Sequence, residues 1–294
     1  MSMIRLIALL LGLVLIFGGL SAARAEEDAA VPAMEMSMEE YYGEDESRAV
    51  PDPTVAPTPL APYAPENLEK TVFDTDDRVT ISNPAAYPYS AIGNMYVHKS
   101  CGCNTQCTCF MVGPSGVMTA SHCVVCSTHG GLADQIEIYF GYRSEKNYLY
   151  HYTGGTRYWY GTSFKRADGT YSFGDFSKWD YAYIKLNERV GDYTGWLGTY
   201  EADTSEIYSH VYEVAGYRDG LLKTNWGGME KQSGSSMEYQ YRHNADTEPG
   251  NSGGPVFADN YAMGIISSHS DSYNYVRMIT WDLLSEMTDN GIFD

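Results

Sequence analysis

Gly250–Phe257 reads GNSGGPVF, a serine set among three glycines directly ahead of a proline-led apolar run. Glycine loses more conformational freedom on ordering than any other residue. It is kept where the backbone takes unusual angles or passes very close to something. A serine in such a turn is either a turn residue or a nucleophile with backbone N–H groups aimed at its reaction centre. Gly250, Ser252 and Gly254 also satisfy the G-x-S-x-G pattern of a strand–turn–helix nucleophile elbow. That elbow needs a helix after the serine, then an acid and a histidine further on. Here Pro255-Val256-Phe257 reads as a strand, and residues 253–294 are too few for the missing parts.

Outward from this stretch, alternation of period two is common and helical periodicity is scarce. AIGNMYV (91–97), QIEIYF (135–140), YLYHY (148–152), RYWYGTSF (157–164), YAYIKL (181–186), HVYEVAGY (210–217) and AMGIISS (262–268) read as strands. Asp168-Gly169 and Asp259-Asn260 are hairpin-grade turns. One helix stands out, in TWDLLSEMTDNGIF (280–293): Thr280 suits the N-cap, Asp282 the first turn and Asn290-Gly291 the stop. The expected fold is mostly β, barrel-forming, with a C-terminal helix. The chain shows no repeat of the kind that marks a solenoid or propeller.

A nucleophilic Ser252 needs a base and an acid that orients the base. Among seven histidines, His122 stands out in VMTASHCVVC (117–126). Val117 and Met118 look like the end of a buried strand, small residues follow, and Cys123 can anchor the turn. Asp180 opens the alternating strand of WDYAYIKL (179–186), where it is either a simple turn residue or the buried partner that fixes a histidine tautomer. Asp175, in a glycine-flanked loop, is the competing acid. Taken singly, each of these residues has a plainer structural reading.

Taken in the order His122, Asp180, Ser252, the segments TASHC, DYAYIKL and DTEPGNSGGPVF resemble the three catalytic motifs of the trypsin-like serine proteases, above all the secreted glutamyl-endopeptidase-like branch. DDRVTISNPAAYPYSAIGNMYV (76–97), CTCFMVGPSGVMTASHC (107–123), VAGYRDG (214–220) and MITWDLL (278–284) extend the likeness from about residue 72 to the end. The resemblance implies a chymotrypsin-like fold of two antiparallel six-stranded β-barrels with a C-terminal helix, and an active site between the barrels. It implies a serine endopeptidase that hydrolyses peptide bonds through an acyl-enzyme. His122 would take and return the serine proton, Asp180 would orient His122, and the N–H groups of Gly250 and Ser252 would form the oxyanion hole. Substrate recognition is implied around Asp246, Thr247, Ile266, Ser267 and His269. Asn251 departs from the aspartate of trypsin itself, which pairs with a new N-terminal amine, so activation is expected to differ. Ile266 stands where glutamyl endopeptidases carry the histidine of G-I-H, which unsettles a glutamate preference. His269 could substitute for it. Asp246 could instead favour Lys or Arg, although an Asp246 that only steadies its loop is the plainer reading.

The six cysteines, Cys101, Cys103, Cys107, Cys109, Cys123 and Cys126, fall within one short segment. Their density would suit zinc in a cytosolic protein. Export favours disulfides, so no metal and no cofactor is expected. The family likeness pairs Cys107 with Cys123. Strand alternation puts Cys109 on the same side as Cys107, within reach of Cys126, which leaves Cys101 and Cys103 over.

Residues 1–25 read as a secretory signal, with Arg5, the apolar run Leu6–Leu20 and the A-x-A site Ala23-Arg24-Ala25. Residues 26–71 hold 12 acidic residues against two basic ones, with six prolines between Pro51 and Pro65, and read as an extended or disordered propeptide or linker cleaved near Lys70–Val72. The resemblance implies that residues 72–294 form the catalytic domain. The net charge of −19 argues against nucleic acid and against anionic lipid once the signal is removed. A secreted monomer acting on proteins or peptides is expected. The rivals are a catalytically inactive binding or adhesion module on the same fold, and a metal-binding cysteine-cluster protein.

Overall fold

Alternating runs become the strands of two large antiparallel sheets, with a separate two-stranded pair of Phe164–Lys165 and Tyr171–Ser172. The computed structural model describes residues 36–37, 76–126, 128–154, 156–161, 164–165, 171–172, 176–231, 239–269 and 273–294. The signal, nearly all of the acidic segment, the Lys70–Val72 cleavage point, the Asp168-Gly169 turn and Asp175 lie outside these residues.

The first sheet runs in the order Met36–Ser37, Thr156–Tyr160, Ala182–Leu186, Gly116–Thr119, Asn104–Met111, Ile92–Lys99, Ala133–Phe140, Tyr150–Thr153. Met36 pairs with Tyr158 and Ser37 with Arg157, so a segment expected to stay without structure contributes two residues to a sheet edge. An edge strand offers unpaired N–H and C=O groups to any passing backbone. The second sheet runs Met229–Lys231, Gln240–His243, Asn274–Met278, Tyr261–His269, Pro255–Ala258, Tyr212–Arg218, Leu221–Gly227, Val79–Thr80, with Gly198–Thr199 pairing parallel to Tyr261–His269. Asp259 and Asn260 turn the hairpin after Pro255–Ala258 with φ of 48° and 69°, the left-handed pair that Asp-Asn tolerates. The C-terminal helix is Trp281–Asp289; Thr280 takes the extended N-cap conformation without a side-chain cap bond.

The buried side chains form two clusters, the larger of which also takes in Tyr217, Leu222, Phe257 and Ile265 of the second sheet. The larger core gathers Met95, Phe110, Met118, Ile138, Tyr158 and Ile184 from the first sheet, and continues through Leu283 and Met287 of the terminal helix. Burying each of those two helix side chains contributes about 1.5–3 kcal/mol. The smaller core gathers Tyr212, Val256, Met263, Ile266 and Val276 inside the second sheet. Among the described residues, no helix is long and apolar enough to cross a membrane.

His243, paired with Asn274 across the second sheet, is buried, and neither ring nitrogen makes a hydrogen bond of normal geometry. Burial pushes its pKa down from 6.5 to about 4, and the Ala245 backbone offsets only part of this. The folded pKa lies below the unfolded one. The contribution to stability is therefore complete above about pH 6.5 and is lost as pH falls toward 4. At about 1.4 kcal/mol per pKa unit, this one group should cost the fold about 3 kcal/mol between pH 7 and pH 4. Urea unfolding of the parent and of His243→Leu at both pH values should show a shallower pH dependence in the variant. Equal slopes would remove this account.

Candidate active site

His122 and Asp180 meet because of strand register. Ala182 pairs with Thr119 and Tyr183 with Met118, antiparallel. Extending that ladder two residues brings Asp180 opposite Ser121, with His122 beside it on the short helix Ser121–Val124. Asp180 is fully buried. His122 Nδ1 lies 2.9 Å from both carboxylate oxygens, and the His122 backbone N–H donates to Oδ1 at 3.1 Å. Ser267 Oγ donates to Oδ2 at 2.5 Å, and Ser121 Oγ to Oδ1 at 3.4 Å. Burial alone would push the Asp180 pKa up. The His122 charge and the hydrogen bonds from His122 and Ser267 outweigh burial, so the carboxyl is held below its usual range. Buried Arg277 donates from Nε to the Lys178 carbonyl at 2.7 Å, steadying the turn Phe176–Trp179 that delivers Asp180. On the other side of His122, Cys123 forms a disulfide with Cys107 of the neighbouring strand.

Ser252 is held by main chain. Its carbonyl accepts from Thr108 N at 2.8 Å, and Thr108 Oγ1 donates to the Gly250 carbonyl at 2.8 Å. Thr108 belongs to the first sheet, so these bonds tie the serine loop of the second sheet to the first. Gly253 has φ +84°, and a Cβ there would meet Thr119 Oγ1 at 2.1 Å and the Thr108 carbonyl at 2.3 Å. Close backbone approach is thus the reason for glycine beside the serine. Asn251 N donates to Glu248 O, Gly253 N to Ile266 O and Gly254 N to Asn251 O. Among the described residues, the amides of Gly250 and Ser252 donate to no protein acceptor.

His122, Gly250, Ser252, Thr247, Ile266, Ser267 and His269 all line one cleft of about 240 Å³. Asp246 does not. Its carboxylate instead faces the Asp77 amide at 3.4 Å, and burial followed by the Asp77 charge pushes its pKa up to about 6. A larger cavity of about 530 Å³, walled by Tyr96, Tyr139, Tyr142 and Glu137, shares Thr105 and Gln106 with the cleft.

Three features escape the sequence reading. Ser267 was assigned to substrate and also hydrogen-bonds Asp180. Arg78 clasps the serine loop: its Nη1 lies 2.6 Å from Glu248 Oε1 and 3.2 Å from Asn251 Oδ1, while its Nε lies 2.8 Å from Asp76 Oδ1. A single basic residue in DDRVT was the available signal, but nothing local says which distant loop it meets. Cys109 does not reach Cys126. It is fully buried, its sulfur 3.8 Å from the carbonyl of Gly93, its partner across the sheet. Alternation gives the side of a strand and says nothing of depth.

The protein-family model described as Trypsin matches residues 80–279. Glutamyl endopeptidase of Bacillus licheniformis is 32% identical over 201 residues, covering 67% of this chain and 56% of that protein. The match thus spans little more than half of that relative's length. Extracellular metalloprotease of Bacillus subtilis is 28% identical over 225 residues, covering 74% of this chain and 68% of that protein. Among solved structures, a Glu endopeptidase in complex with MPD superposes with a TM-score of 0.58 at 17% identity, over 75% of this chain and 99% of that one. Protease Anisep from Arthrobacter nicotinovorans superposes with a TM-score of 0.56 at 19% identity, over 69% and 95%. At such identities the structural likeness speaks for the fold: two curled antiparallel sheets with a terminal helix, as in chymotrypsin. With the family model covering more than half of its length on that fold, the chain belongs to the trypsin family.

Proposed function

We propose that the chain is a secreted serine endopeptidase that hydrolyses protein or peptide substrates through an acyl-enzyme. The observation that carries this reading is the buried Asp180 carboxylate bonded to His122 Nδ1, beside a cleft that His122 shares with Ser252. A serine hydroxyl is a weak nucleophile at neutral pH. With Nδ1 committed to Asp180, the other ring nitrogen is the basic one, available to take the Ser252 proton during attack and return it to the leaving amine. The uncommitted amides of Gly250 and Ser252 would receive the negative oxygen of the tetrahedral intermediate. One such donor is typically worth about 100- to 1000-fold in rate. The polar wall of Thr247, Ser267 and His269 would face the residue before the scissile bond, with Ile266 beneath it. Residues 1–25 would direct export, and residues 26–71 would be removed near Lys70–Val72.

Treatment of the secreted, trimmed protein with a fluorophosphonate should give a single adduct at Ser252, and none in His122→Ala. Absence of any adduct would overturn the assignment in favour of an inactive binding module, and an adduct at another residue would overturn Ser252 as the nucleophile.

A further inference from the structure

Six cysteines do not resolve into three disulfides. Cys107 and Cys123 are joined, and Cys109 is sealed in the core. Three remain, Cys101, Cys103 and Cys126, an odd number that no pairing can exhaust. They converge with a fourth group, His129, so that one ligand atom from each residue lies within 4.8 Å of all the others. We infer that Cys101, Cys103, Cys126 and His129 form a structural zinc site of the Cys₃His type.

The separations fit an ion better than a covalent bond. The sulfurs of Cys103 and Cys126 stand 3.8 Å apart, and His129 Nδ1 lies 3.2 Å from Cys103 Sγ and 3.5 Å from Cys126 Sγ. A disulfide needs about 2.05 Å between sulfurs. A tetrahedron with Zn–S of about 2.3 Å and Zn–N of about 2.05 Å has edges of about 3.8 Å between sulfurs and about 3.6 Å between sulfur and nitrogen. Four sulfur and nitrogen ligands close the shell, which marks a structural rather than a catalytic site.

The surroundings support the same reading. Cys101 and Cys103 lie in the turn between strands Ile92–Lys99 and Asn104–Met111; Cys126 and His129 lie just past the helix that carries His122. Gly131 allows the two loops to meet, since a Cβ there would lie 2.3 Å from Cys101 Sγ. The amide of Cys126 donates to the Gly131 carbonyl at 2.7 Å, closing the second loop on itself. Three thiolates and a neutral imidazole around Zn²⁺ carry one net negative charge. Lys99 is the complement. It is 6% exposed, stands two residues before Cys101, and its ammonium donates to Thr105 Oγ1 at 2.8 Å and to the His122 carbonyl at 3.3 Å. Binding displaces one proton from each thiol and changes no oxidation state. The ion would thereby staple the hairpin to the turn that positions His122. Ser252 and Asp180 take no part in it, so the inference stands apart from the proteolytic reading.

The test is elemental analysis of the purified, chelator-free secreted protein, with thiols counted in denaturant plus EDTA and the cysteines mapped by mass. About one zinc per chain is expected, with four thiols and a single Cys107–Cys123 bridge. In Cys126→Ser, zinc should fall to near zero. Should that variant fail to accumulate, His129→Ala serves instead, because His129 is exposed and no core packing depends on it. A mapped disulfide among Cys101, Cys103 and Cys126 would overturn the site, as would zinc undiminished in His129→Ala, or the absence of zinc after incubation with Zn²⁺. Stoichiometric iron or copper in its place would overturn the identity of the ion.

Discussion

Asp180→Asn is expected to lower kcat about 10⁴-fold, with the fold intact and KM little changed. The carboxylate accepts from His122 Nδ1, the His122 backbone, Ser267 Oγ and Ser121 Oγ, and donates to none of them. An asparagine of the same shape must turn an NH₂ toward one side of that ring of donors. The serines can rotate their hydroxyls to accept. The imidazole relieves the remaining conflict by offering a lone pair at Nδ1, which moves its proton to the nitrogen that should take the proton of Ser252. The base is then present, well placed and in the wrong tautomer. A 10⁴-fold loss corresponds to about 5.5 kcal/mol in the barrier. Steady-state kinetics on a peptide substrate, alongside thermal melts of both proteins, would measure it. Activity within about tenfold of the parent would mean that another acid orients His122, and Asp175 would be the first to replace.

Gly253→Ala should be still more damaging to the folded protein. The residue has φ +84°, and the added methyl would lie 2.1 Å from Thr119 Oγ1, 2.3 Å from the Thr108 carbonyl and 3.0 Å from Ala120 N. None of these is the far end of a flexible side chain. Thr119 Oγ1 itself donates to Thr108 O at 2.9 Å, so the methyl would wedge apart a bonded pair of strands, one of which ends at the His122 helix. Relief would also break the Gly253 N to Ile266 O bond of 2.8 Å. Left-handed strain and overpacking together place the cost at about 4 kcal/mol or more, among the largest for single substitutions. The expected outcome is little soluble protein and no fluorophosphonate adduct. Gly228→Ala is the control: nothing lies within 4 Å of its added Cβ, and its φ is not left-handed. That change should leave stability within about 1 kcal/mol of the parent. A Gly253→Ala protein that melts with the parent would sink the close-approach explanation of the glycine loop.

The parts legible in the sequence were those whose chemistry is local. The turn around Ser252 announces itself because close approach demands glycine at neighbouring positions. His122 and Asp180 are legible because each sits at the end of a strongly apolar strand whose partner can be guessed. The Asp259-Asn260 hairpin follows from backbone tolerance alone. What escaped depends on distant partners. Strands Leu221–Gly227, Gln240–His243 and Asn274–Met278 carry Lys, Asn and Arg among their apolar positions, and only cross-strand pairing makes them strands. Ser267 lines the cleft as expected, but its bond to Asp180 was not legible because the chain does not tell which distant carboxylate its hydroxyl meets. Cys109 escaped for a related reason: alternation gives its side of the strand, but its burial against the Gly93 carbonyl keeps it from Cys126.

The Arg78 clasp sets a limit on where an active chain can begin. Asp76 holds Arg78 Nε and also meets Lys223 Nζ at 3.0 Å, while Asp77 accepts from Asn225 Nδ2 at 2.7 Å. A chain trimmed anywhere before Asp76 keeps these anchors and, through Arg78, the hold on Glu248 and Asn251 next to Ser252. A chain starting after Arg78 would lose that hold, leaving the serine loop to the bonds that Asn251 makes with Tyr217 O and Glu248 N and that Thr108 makes with Gly250 and Ser252. Trimming is therefore expected to be permissive before Asp76 and to lower activity once Arg78 is removed. Arg78 marks the edge, and N-terminal sequencing of active and spent material would locate it.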